Sequence, residues 1–164
     1  LITRAGLEIK VNRKYYRLER VDRTEKAAGS RGQAVDQKVE KLERQEVENL
    51  ATLTSGDLVE IELVIDSKND YEYLVFEDMK PAGCEPVELR SGGRWAGGLC
   101  ANLELRDEKV VFFIGLLEQG EHVLRYKMRA ETPGTFHALP TTGSAMYAPE
   151  VRAISDEMHL KVRD

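Results

Sequence analysis

The sequence predicts an all-β chain, an antiparallel β-sandwich of about seven to nine strands. Three observations carry this reading. After Ser55, apolar residues recur with a period of two, the mark of half-buried strands. Turn signals built on Asp, Asn, Gly and Pro separate the alternating runs. No long amphipathic pattern of helical period lies between them, which argues against a parallel βαβ sheet.

The elements follow in chain order. Leu7, Ile9 and Val11 alternate with polar residues, and Tyr15, Tyr16 and Leu18 continue a strand with an expected phase break near Arg13. Residues 22–34 are polar, carry Gly29, Ser30 and Gly32, and read as a mobile loop. From Asp36 to Glu48, eight of thirteen residues are charged, while Val35, Val39 and Leu42 recur at helical spacing. One short exposed helix fits that segment, and a charged edge strand through Val39–Val47 is the alternative. Residues 1–164 thus read as a single β-sandwich domain with a long charged insertion at about 22–50.

Beyond the insertion the alternation is clean. Val59, Ile61, Leu63 and Ile65 share one face of a strand, with Glu60 and Glu62 on the other. Tyr71–Glu77 is a second strand, rich in aromatic and β-branched residues. Residues 79–100 have no clear period and hold five of the thirteen glycines, which predicts a long loop with a short strand at Val87–Arg90. Ala101–Arg106 alternates again, and Val110–Ile114 is an apolar run suited to burial on both faces. In Glu121–Ala130, His122, Leu124, Tyr126, Met128 and Ala130 face one way and Arg125, Lys127 and Arg129 the other. Thr132–Thr135 is a Pro-Gly turn, and Phe136–Leu139 and Met158–Val162 complete the set. Residues 140–152 read as a loop with Met146 and Tyr147 at its tip, residue types that are enriched at interfaces.

Composition narrows the function. The 164 residues carry 24 Lys+Arg against 29 Asp+Glu, a net charge of −5, so the basic footprint of a nucleic-acid partner is missing. No stretch approaches the ~18 apolar residues of a membrane span. The chain starts Leu1-Ile2-Thr3-Arg4, without Met or a signal-peptide pattern, and is expected to be cut from a longer chain. Cys84 and Cys100 match no metal or redox spacing; a disulfide between them and two separate thiols are both open to the sequence. His122, His137 and His159 sit in no local metal-ligand motif, so no metal or other cofactor is expected. His122, on the more apolar face of its strand, is expected to be a hydrogen-bonded histidine of the core or its rim. No nucleophile or phosphate-loop motif is present, and an enzyme is not expected.

Three segments carry a family resemblance. Phe76-Glu77-Asp78-Met79-Lys80-Pro81-Ala82-Gly83-Cys84-Glu85 is similar to the ED-x-x-PAG-x-E segment of bacterial alpha-2-macroglobulin-like proteins. Arg129-Ala130-Glu131-Thr132-Pro133-Gly134-Thr135-Phe136 resembles their RA-x-x-PG-x-F segment, and Met146-Tyr147-Ala148-Pro149-Glu150-Val151-Arg152 their MY-x-PE-x-R segment. The chain resembles their C-terminal macroglobulin-like domain over residues 56–164, and more weakly over 6–18. The resemblance implies a macroglobulin-like sandwich in a periplasmic, cell-envelope or extracellular protease trap. The domain would be non-catalytic, packing against the thioester domain of the same parent and meeting target proteases only through it. Gly115-Leu116-Leu117-Glu118-Gln119 has the spacing of the family's thioester motif, but Leu116 stands at the nucleophile position. Met146 and Tyr147 are the candidate interdomain contact. The architecture alone equally fits an independent cell-surface or periplasmic adhesion or ligand-binding sandwich.

Overall fold

The structure, a computed structural model, describes residues 8–28, 34–87, 92–96 and 99–164; for 21–28, 34–41, 92–96, 99 and 100 it describes the backbone alone. The strands are β1 (Ile9–Ala28), β2 (Ala34–Val47), β3 (Thr52–Thr54), β4 (Leu58–Ser67), β5 (Tyr71–Met79), β6 (Cys84–Val87) and β7 (Gly92–Ala96). They continue as β8 (Leu99–Leu105), β9 (Lys109–Leu117), β10 (Gly120–Ala130), β11 (Gly134–Ala138), β12 (Thr142–Ala145), β13 (Ala148–Ile154) and β14 (Met158–Arg163). No helix occurs among the described residues.

A five-stranded sheet, β2-β1-β4-β10-β6, faces a six-stranded sheet, β13-β12-β5-β9-β8-β7, and a three-stranded sheet, β11-β14-β3, completes the fold. Pairing is antiparallel except between β14 and β3. The period-two residues fill the space between the sheets. Val59, Ile61, Leu63 and Ile65 of β4, and Leu124, Tyr126 and Met128 of β10, are buried against Leu74 and Phe76 of β5 and Phe112 and Ile114 of β9. Phe112 and Tyr126 meet across the sandwich with ring centroids 6.0 Å apart. Each such side chain contributes about 1.5–3 kcal/mol by leaving water. The outer faces are charged: Arg125 of β10 and Arg44 of β2 reach Glu62 on β4 at 2.9 and 2.7 Å. Burial pushes Glu62 up, and the hydrogen bonds from the two arginines overcome it and hold its carboxyl below the usual range.

Several expectations need correction. Where the sequence predicts a loop at residues 22–34 and a helix at 36–48, β1 runs on to Ala28 and pairs with β2 from Tyr15↔Val47 to Ala28↔Ala34, while residues 29–33 of the expected loop lie outside the described residues. The alternative reading, a charged edge strand, therefore holds: β2 is the edge of its sheet, held by pairing with β1, where a helix with three apolar anchors would have been marginal. The phase break near Arg13 is absent: Ile9, Val11, Arg13 and Tyr15 all point inward along an unbroken β1. The expected loop at 79–100 holds β6, β7 and the start of β8, while residues 88–90 of the expected strand lie outside the described set. Residues 140–152 form β12 and β13, a hairpin rather than a loop. His122, by contrast, is the hydrogen-bonded rim histidine expected from the sequence: it is half-buried, with one ring nitrogen 2.7 Å from the carbonyl oxygen of Glu118.

Candidate interaction site

Two soft sequence segments meet in the core and set the stage for the third. A Cβ added at Gly83 would come within 2.3 Å of the Phe136 ring, so the glycine leaves room for that phenylalanine. The Gly83 carbonyl also accepts the backbone N–H of Glu131 at 2.8 Å and of Thr132 at 3.1 Å, joining the two segments.

A polar cluster then ties the sandwich to the base of the β12–β13 hairpin. Asp78, on the inward face of β5, is fully buried. Its Oδ1 accepts a 2.8 Å hydrogen bond from Arg13 Nη1 of β1 and a 2.7 Å bond from Thr141 Oγ1, next to β12. The Tyr126 hydroxyl of β10 donates a short bond to Asp78 Oδ2. Arg13 also donates to the carbonyl oxygens of Leu139 at 2.7 Å and Ala138 at 3.0 Å. Thr141 N–H donates to Ser155 Oγ at 2.8 Å, and Ser155 N–H returns a 2.9 Å bond to the Thr141 carbonyl. Burial works against the Arg13 charge, but Tyr15 and Asp78 outweigh it and keep the guanidinium protonated above its ordinary range. Both Arg13 Nη atoms and both Asp78 oxygens are hydrogen-bonded, and neither residue has a buried side-chain atom without a partner, which is what lets such a pair persist in a core.

At its far end the hairpin presents an apolar tip. Tyr147 is 80 % exposed and Met146 54 % exposed. Tyr73 of β5, 52 % exposed, meets the Tyr147 ring edge to face with centroids 5.4 Å apart, and its carbonyl accepts the Met146 N–H at 2.8 Å. Tyr73 adopts a left-handed backbone, φ 55°, which is costly for an aromatic residue. The excursion flips the phase of β5: Tyr71 packs against the core before it, Leu74 and Phe76 after it, and Tyr73 is turned out to support the tip. Leu116 of β9, also half-exposed, lies at the same end of the sheet, since Glu72↔Leu116 and β12 pairs β5 at Ala145↔Leu74.

The sequence-derived candidates therefore separate. Met146 and Tyr147 stand together at the tip. Cys84 is a buried thiol on β6 of the five-stranded sheet, and the side chain of Cys100 lies outside the described residues. Tyr73, Arg13 and Asp78 escaped the sequence reading as site residues. Of these, only Asp78 carried a signal, as a member of the Glu77-Asp78 family segment.

The fold and the hairpin define an all-β sandwich domain with an exposed apolar tip. Residues 9–150 match the family model described as the bacterial alpha-2-macroglobulin MG10 domain, and the chain belongs to that family. It is 31 % identical over 122 residues to alpha-2-macroglobulin of Escherichia coli, 64 % of this chain and 7 % of that protein. Its fold is similar to Salmonella alpha-2-macroglobulin reacted with methylamine (TM-score 0.65, 21 % identity, 98 % of this chain and 9 % of that one). It is also similar to native E. coli alpha-2-macroglobulin spanning domain MG7 to the C-terminus (TM-score 0.65, 22 % identity, 98 % and 24 %). The chain thus spans less than a tenth of the length of the curated E. coli relative.

Proposed function

We propose that the chain is a non-catalytic, C-terminal domain of an alpha-2-macroglobulin-like broad-spectrum protease inhibitor. It packs against the thioester domain of its parent and shields the reactive bond from water. The parent works in the periplasm, the cell envelope or outside the cell. The observation that carries this reading is the hairpin tip: Tyr147 and Met146 are apolar, exposed, and held in place by Tyr73. A tyrosine pre-set in this way loses little entropy on docking, as interface anchors do. Contacts made only in the resting state favour that state, and bait cleavage removes the bias. The Salmonella relative reacted with methylamine, a nucleophile that opens thioesters, supports the reading.

The test is Tyr147→Ala in the full-length parent. An anchor of this kind is worth about 2 kcal/mol or more, so methylamine uptake by the resting parent should accelerate roughly 30-fold. Uptake at the wild-type rate would overturn the shielding role.

A further inference from the structure

The three-stranded sheet carries a cluster unconnected with the hairpin tip. His137 on β11 and His159 on β14 are direct cross-strand partners. Their imidazole rings stack, with centroids 4.3 Å apart and planes 12° from parallel. Both Nε2 atoms face one carboxylate: His137 Nε2 lies 2.6 Å from Glu157 Oε2, and His159 Nε2 lies 3.9 Å from Glu157 Oε1. The ligand atoms of the three residues all fall within 4.8 Å of one another.

We propose that His137, Glu157 and His159 form a surface site for a borderline divalent transition-metal ion, with Zn²⁺ as the natural occupant. Two imidazoles and one carboxylate are the donor set of open zinc sites, with bonds of about 2.0–2.2 Å. Ligand atoms on a tetrahedron of that size stand about 3.4 Å apart, so rotations of exposed side chains close the cluster onto an ion. The scaffold needs no rearrangement. Beneath the pair, Ala138 and Leu160 are buried, the His159 N–H is held by Asn49 Oδ1 at 2.8 Å, and its carbonyl accepts the Leu50 N–H at 2.8 Å. The register thus holds the rings side by side, a preorganised pair of ligands on rigid strands. The side chains are 43 %, 52 % and 38 % exposed, in sequence order, which gives an ion access and leaves positions for water or a further ligand. His137 also lines a cleft of about 370 Å³ with Lys80, Glu85, Asp107 and Glu108; Lys80 pairs with Glu85, and the carboxylates of Asp107 and Glu108 favour an approaching cation. Occupied, the site clips β11 to β14.

The test is Zn²⁺ stoichiometry in the full-length parent, by competition with a chromophoric chelator, against the double variant His137→Gln/His159→Gln. Glutamine keeps the size and polarity of these exposed positions but not the imidazole ligands. The expected result is one Zn²⁺ fewer per chain in the variant, with an unchanged circular-dichroism spectrum. Equal uptake by both proteins overturns the proposal. Should the variant misfold, zinc-soaked crystals of the wild-type parent decide the matter. An anomalous peak between the His137 and His159 rings supports the site, and none at saturating Zn²⁺ refutes it.

Discussion

At the scale of single residues, the interior is built around groups that the fold forces to stay neutral or paired. Arg13 and Asp78 have side chains 1 % and 0 % exposed, and they persist because Tyr126, Thr141 and backbone carbonyls satisfy what the pair leaves over. Cys84 is the simpler case: burial, with Glu85 nearby, pushes its thiol up to about 11. The unfolded thiol ionises near 9.0, whereas the folded one keeps its proton to about 11. Between these values the folded state binds more protons, so stability falls as pH rises, by at most about 3 kcal/mol for this group. Tyr126, raised by burial and Asp78, and Tyr15, raised by burial and Asp78, act in the same direction at higher pH. Urea midpoints measured from pH 8 to 11 should therefore decline from about pH 9, and less steeply for Cys84→Ala. Identical slopes for the two proteins would assign the alkaline loss to the tyrosines alone. Below pH 8, Cys84 should resist iodoacetamide in the folded protein, since only the thiolate reacts.

At the scale of elements, backbone fit decides what side chains can do. Gly143 of β12 faces Phe76 of β5 in the register, and a Cβ there would lie 2.3 Å from the Phe76 ring. Phe76 is fully buried and cannot step aside. Gly143→Ala should cost about 1–3 kcal/mol, read as a lowered urea midpoint at constant m-value. A midpoint equal to wild type would mean that β12 slides outward freely, and that the hairpin is less firmly seated than the close contact indicates. The same scale explains what was legible in the sequence. β4 and β10 were readable because one face of each is apolar and the other polar or charged, and β9 because its short unbroken apolar run suits burial on both faces. β3 and β12, of three and four residues, are too short to show a period. β2 was ambiguous because strand pairing with β1, not an apolar stripe, holds it. Arg13 looked like a phase break because an inward-facing arginine is polar by type, and only its partner 65 residues away makes it a core residue. Asp78 stood in a family segment, but its burial and its partner Arg13 were invisible among 29 acids. His137 and His159 are 22 positions apart, and only the register of β11 on β14 makes them neighbours. Met146 and Tyr147 were legible because two large apolar residues in a Gly-Ser-Ala/Pro context had no periodic strand to enter.

At the scale of the whole molecule, the tip and the core cluster lie at opposite ends of one hairpin. The β12–β13 hairpin forms the edge of the six-stranded sheet, and Thr141 and Ser155 at its base are bonded to each other by side chain and backbone. Thr141 is bonded in turn to Asp78, which Arg13 and Tyr126 hold from the opposite sheet. The tip is therefore as stiff as its base. A shielding contact depends on that stiffness, because a loosely hinged tyrosine would spend its binding energy on being ordered. Thr141→Val keeps the volume and removes the hydroxyl bond to Asp78, a loss of about 1–3 kcal/mol concentrated at the hairpin base. In the full-length parent it should raise resting methylamine uptake in the same direction as Tyr147→Ala, though by less. The double variant should react no faster than Tyr147→Ala alone, because once the anchor is gone its positioning no longer matters. Residues acting through one contact are non-additive in this way, whereas independent ones add. Additive rates in the double variant would show that Thr141 affects methylamine uptake by a route that bypasses Tyr147, and the proposed coupling of hairpin base to tip would fall.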